Sequence, residues 1–105
     1  THDNNTTNGW FYGSEIDENT RKYIIKYLGA ENRDEFHWKF IRISLSSVAD
    51  LTIFPVQDIL GYGEKFRMNN PASSVNNWRW KLTPGKLNKD VIKKLKEMCE
   101  LYNRA

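Results

Sequence analysis

At 105 residues the chain has room for one small domain with a modest core. Sixteen Lys and Arg against thirteen Asp and Glu leave a formal charge of +3, interspersed along the chain, which argues against a nucleic-acid or anionic-membrane partner. A mean hydropathy of −0.72, no apolar run near the roughly 18 residues of a membrane span and a lone cysteine, Cys99, together predict a soluble protein of the reducing cytoplasm.

Residues 1–19 hold turn formers, among them Asn4, Asn5, Thr6, Thr7, Asn8, Gly9, Gly13 and Ser14, with only Trp10, Phe11 and Tyr12 to bury. They are expected to be irregular. From Asp17 the pattern becomes helical: Asp17, Glu18 and Asn19 suit an N-terminus, Tyr23, Ile24, Tyr27 and Leu28 share a face, and Gly29 closes the helix. A second helix is predicted from Asp34 and Glu35 to about Ala49, with Trp38, Ile41, Leu45 and Val48 as its apolar set. Phe40 and Ile43 widen that stripe, which predicts contact on more than one side.

Residues 51–54, Leu-Thr-Ile-Phe, form a short β-rich run ended by Pro55, and predict one strand buried on both faces. A buried strand needs neighbours, and no second strand is evident. The expected fold is therefore mainly α with one short strand, and with part of its architecture missing. Gln57 and Asp58 lead into a helical turn at Ile59 and Leu60, followed by a bend at Gly61 and Gly63. Residues 64–87 predict a long ordered loop carrying NNWRW. In the last helix Asn88 is the N-cap, Val91, Ile92, Leu95, Met98, Cys99 and Tyr102 share one face, and Lys89, Lys93, Lys94 and Lys96 form a solvated side.

Aromatic residues make up 13% of the chain, and several stand among Asn and Arg. Indole faces with planar amides suit sugar rings, although they equally suit a core with satisfied Trp N–H groups. His2 and Asp3 suit a metal pair, a triad fragment or a polar sugar site. No second His or Cys lies at ligand spacing, His37 falls inside a helix, and no nucleophile elbow appears, so neither metal nor cofactor is expected. Gln57 and Asp58 follow the predicted strand, where α/β barrels place working residues; capping of the next turn is the plainer role. Arg67 and Asn69 read as loop staples.

Three segments taken together are more specific. THDNNTTNGW, IFPVQDILGYGEKFRMNNP and NNWRWKL occur in an order and spacing that resemble the C-terminal part of the 4-alpha-glucanotransferases (amylomaltases or disproportionating enzymes, glycoside hydrolase family 77). The resemblance covers nearly the whole chain. It implies that residues 1–105 run from the end of the seventh strand to the last helix of a cytoplasmic (β/α)8 TIM barrel, with no separate second domain. It implies that Asp3 is the carboxylate that stabilises the oxocarbenium-like transition state and that His2 binds the same sugar. Asn4, Gln57, Asp58 and Asn69 are then substrate contacts, and Trp78 and Trp80 candidate stacking platforms.

The implied partners are α-1,4-glucan oligosaccharides and the N-terminal remainder of the same barrel. The implied reaction is retaining glucan transfer, in which the nucleophile and the acid/base carboxylate lie upstream of this chain. The chain alone is expected to be inactive and, through its unpaired strand or exposed helix faces, to dimerise. The alternative is a free-standing glucan-binding module that uses Trp10, Trp78 and Trp80. A small interaction protein built on the basic last helix is a third reading.

Overall fold

The computed structural model describes residues 3–29 and 35–104, so His2 and Asp34 lie outside the described residues. The segment expected to be irregular contains a helix, α1 (Thr7–Tyr12). Its composition is poor for a helix, and contacts with its neighbours hold it. The Thr6 hydroxyl accepts the Gly9 N–H at 3.0 Å as an N-cap, and Phe11 is fully buried with its ring stacked on Phe36, centroids 3.7 Å apart. At its other end the buried Arg21 collects carbonyls, donating from Nε to Phe11 at 2.6 Å and from Nη2 to Gly13 at 2.8 Å.

Helix α2 (Glu18–Leu28) matches the expectation from its caps. Asp17 accepts the Thr20 N–H at 2.7 Å, a bond that holds the Asp17 carboxyl below its usual range. Gly29 ends the helix in the left-handed conformation at φ 68°. Its apolar face stays largely uncovered, with Tyr23 and Tyr27 at 68% and 71% exposure.

Helix α3 (Phe36–Leu45) stops well before Ala49, and Val48 is fully exposed. Three serines explain the early end: the hydroxyls of Ser44, Ser46 and Ser47 donate to the carbonyls of Phe40, Ile43 and Ser44 and compete for the last turn. Arg104 then takes the freed end, donating to the Leu45, Ser47 and Ala49 carbonyls at 2.7, 3.1 and 2.6 Å. The widened stripe of α3 does serve two sides. Phe40 turns toward α1, its ring 6.2 Å from that of Trp10, as does Phe36, which the predicted stripe did not include, while Trp38, Ile41 and Leu45 form the core with Met98 of α5 (Lys89–Leu101). Helix α5 begins at Asn88, whose side chain accepts the Val91 N–H at 3.0 Å.

The predicted strand at 51–54 is corrected by the structure: no strand occurs among the described residues. The stretch still has a two-residue alternation, with Leu51 and Ile53 exposed at 74% and 80% and Phe54 packed on the core. A strand exists through its ladder, and here no described segment supplies a partner. The remaining elements are α4 (Val56–Ile59) and a single 3-10 turn, Glu64–Phe66. The radius of gyration is 14.6 Å, against about 13 Å for a compact domain of this length. Accessible surface is 7666 Å², against about 6,100 Å² for a compact monomer of this mass.

Candidate functional site

The site lies where α1, α4 and the loop after the 3-10 turn meet. Asp58 and Gln57 sit on α4, which Pro55 starts in an extended conformation and which has no side-chain cap of its own. Asp58 does not cap that turn; its Oδ1 accepts the Thr7 N–H at 2.7 Å and so caps α1. Gln57 is buried, and its Nε2 donates to the Phe66 carbonyl at 3.4 Å. Asn8 adds a bond from Nδ2 to the Gly61 carbonyl at 2.8 Å. Together the Thr7 and Asn8 contacts fix the start of α1 against the 57–66 region.

Asp3 is gripped from the other side of that junction. The Asn69 side-chain amide donates to Asp3 Oδ1 at 2.5 Å, and Arg67 Nη2 donates to the Asp3 carbonyl at 2.8 Å. Arg67 Nε also donates to the Asn69 carbonyl at 3.0 Å. A loop ordered by its own amides carries these groups. Asn77 Oδ1 accepts the Asn70 N–H at 2.8 Å, and Asn77 Nδ2 donates to the carbonyls of Asn70 and Ser73 at 3.2 and 2.8 Å. Trp78 follows in the left-handed conformation at φ 62°, its N–H bonded to the Met68 carbonyl at 2.7 Å.

A cavity of about 490 Å³ opens beside this junction, within the usual range for small-ligand sites. Asn4, Gln57, Asp58 and Trp78 line it, so four of the residues singled out from sequence come together. Asp3 and Asn69 are joined to each other and to the cavity wall through Arg67. Trp80 does not line the cavity and meets Tyr62 edge-on at 6.1 Å. Trp10 lies near Phe40, at 6.2 Å, around a different hollow. Arg67, expected as a loop staple, reaches the Asp3 carbonyl as well; its place two residues before Asn69 in the RMNNP segment is the signal that the sequence offers.

A family model described as 4-alpha-glucanotransferase matches residues 1–88. The chain belongs to that family. It is 46% identical over 104 residues to the 4-alpha-glucanotransferase of Synechocystis, covering 99% of this chain and 20% of that protein. Against the chloroplastic/amyloplastic 4-alpha-glucanotransferase of rice, Oryza sativa, it is 42% identical over 99% of this chain and 18% of the other. Its backbone superposes on the amylomaltase of Streptococcus agalactiae, solved in complex with acarbose, with a TM-score of 0.91 at 30% identity. That match covers 100% of this chain and 21% of the amylomaltase. The chain thus spans about a fifth of the length of the relatives it matches.

Proposed function

We propose that this chain is the C-terminal part of a 4-alpha-glucanotransferase of (β/α)8 architecture, and that it supplies one wall of the glucan-binding cleft. The observation that carries the reading is the Asp3 carboxylate, held by Asn69 and joined through Arg67 to a cavity of ligand size. The excess surface supports the larger architecture: exposed Leu51 and Ile53, on the stretch with strand-like alternation, suit pairing with further barrel strands.

In this reading Asp3 binds hydroxyls of the sugar at the cleavage point and favours its distorted, positively charged transition state. A separate nucleophilic carboxylate forms the glycosyl-enzyme, and an acceptor sugar hydroxyl, in place of water, releases it. Those two carboxylates come from the rest of the barrel. Carboxylates of this chain have other work: Asp17 and Asp58 cap helices, Glu18 pairs with Arg21 at 2.8 Å, and Glu35 with Lys94 at 3.3 Å. Transition-state stabilisation without a group to start the reaction gives no turnover, so the chain alone is inactive. Among the described residues no helix is long and apolar enough to cross a membrane, and Cys99 is a free thiol. A cytoplasmic location is what the motif resemblance implies, and it rests on that resemblance alone.

Asp3→Asn in the full-length polypeptide should abolish disproportionation of maltotriose, and retained activity rules the assignment out. The alternative, a free-standing glucan-binding module, draws support from Trp78, which is 58% exposed at the cavity. Titrating the isolated chain with maltoheptaose while following Trp fluorescence separates the two: saturable quenching supports the module, and a flat trace supports the barrel part.

A further inference from the structure

We infer that Arg67 is a positioning residue for the Asp3 carboxylate; this rests on the reading of Asp3 as the transition-state-stabilising group. Asp3 has no regular element beneath it, since α1 starts only at Thr7. A group of that kind is useful only when held to within a fraction of an ångström. Arg67 supplies the constraint twice over. Nη2 fixes the Asp3 backbone through its carbonyl at 2.8 Å, and Nε fixes the backbone of Asn69, the residue that bonds the Asp3 carboxylate, at 3.0 Å. Main chain and side chain of Asp3 are thus referred to one planar guanidinium in a closed three-residue ring.

The character of Arg67 fits this role better than that of a surface charge. Its side chain is 14% exposed, and its ion-pair partner Glu64 stands 3.9 Å away and is 61% exposed, too open a contact to fix its geometry. The well-made bonds go to carbonyls in two directions from a rigid fork, which the single ammonium of lysine cannot reproduce.

The test uses the full-length enzyme with Asp3→Asn, Arg67→Ala, Arg67→Lys and the Asp3→Asn/Arg67→Ala pair. Disproportionation of maltotriose gives kcat and KM, titration calorimetry gives the Kd of acarbose, and circular dichroism checks folding. Asp3→Asn tests the parent reading by itself; wild-type turnover in that variant removes Asp3 from the chemistry whatever Arg67 does. With that turnover lost, Arg67→Ala should lower kcat about 100-fold with KM changed less than about threefold, and Arg67→Lys should fall between. Each single variant should weaken acarbose binding, and the double variant should bind no more weakly than Asp3→Asn.

Additive losses in the double variant overturn the inference, as does an unchanged kcat in Arg67→Ala. A raised KM with intact kcat also overturns it, assigning Arg67 to direct sugar binding. Should Arg67→Ala fail to fold, Arg67→Lys carries the test: a lowered kcat at wild-type melting temperature supports positioning, and wild-type kcat refutes it.

Discussion

Asp58 Oδ1 accepts the backbone N–H of Thr7 at 2.7 Å across 51 positions of sequence. The bond satisfies a donor at the start of α1 that the helix cannot satisfy itself, and it ties the segment bearing Asp3 and Asn4 to α4. Asp58→Ala should cost about 1–2 kcal/mol, as losing a helix cap does. Asp58→Asn keeps an acceptor oxygen and should cost less than half of that. Urea unfolding of both variants measures the difference, and an unchanged stability in Asp58→Ala would mean that the bond contributes nothing.

His37 sets a pH dependence. Its Nδ1 is buried with no hydrogen-bond partner among the described residues. Burial pushes the imidazole below its ordinary value, with Lys94 adding to the effect and Glu35 and Asp58 opposing it. A depressed folded-state pKa means that the unfolded chain takes up the proton first as pH falls. The contribution of His37 is therefore complete above about pH 6.5 and is lost as pH drops through the lower folded-state value. Stability followed from pH 8 to 5 should fall at the acid end, and His37→Gln should flatten that fall. An identical slope in the variant rules the effect out.

Gly61 and Gly29 both have positive φ, at 71° and 68°, yet they should not respond alike to alanine. At Gly29 an added Cβ meets nothing within 4 Å, so Gly29→Ala should cost only the left-handed strain, about 1 kcal/mol. At Gly61 the same Cβ would stand 2.7 Å from His37 Cε1 and 2.9 Å from both ring nitrogens. Gly61→Ala should therefore cost roughly 1–3 kcal/mol more, by the overpacking it forces. Adding His37→Ala to Gly61→Ala should remove that surplus, and thermal melts of the three variants check it.

Legibility in the sequence followed where the forces are local. Helices α2 and α5 could be bounded because Asp17, Gly29 and Asn88 act on their own neighbours. Helix α1 could not, since six residues containing Asn8 and Gly9 are held by Phe36 and Asp58, distant in sequence. The 51–54 run has the composition and alternation of a strand, but a strand needs a paired neighbour and no described segment supplies one. At the site, the motif resemblance singled out Asp3 and Asn69, whose pairing at 2.5 Å the structure supplies. Arg67 stands in the same motif two residues before Asn69, but its role lies in the carbonyls it reaches, and no residue type advertises a carbonyl.

Trp78 and Trp80, two residues apart in NNWRW, should separate in function. Trp78 is 58% exposed, lines the cavity and has a left-handed backbone at φ 62° that costs about 1–2 kcal/mol in a residue with a Cβ. If the indole is a sugar platform, Trp78→Gly should relieve the strain while removing the platform. The full-length variant should then melt no lower than the parent, yet show KM for maltoheptaose raised about tenfold, the worth of one stacked ring. Trp80 packs its edge on Tyr62 and stands away from the cavity. Trp80→Ala should lower the melting temperature and leave KM within about twofold, since it removes packing and no sugar contact. Melting curves and KM values for the two variants give opposite signatures, and a raised KM in Trp80→Ala alone would move the platform to the other indole.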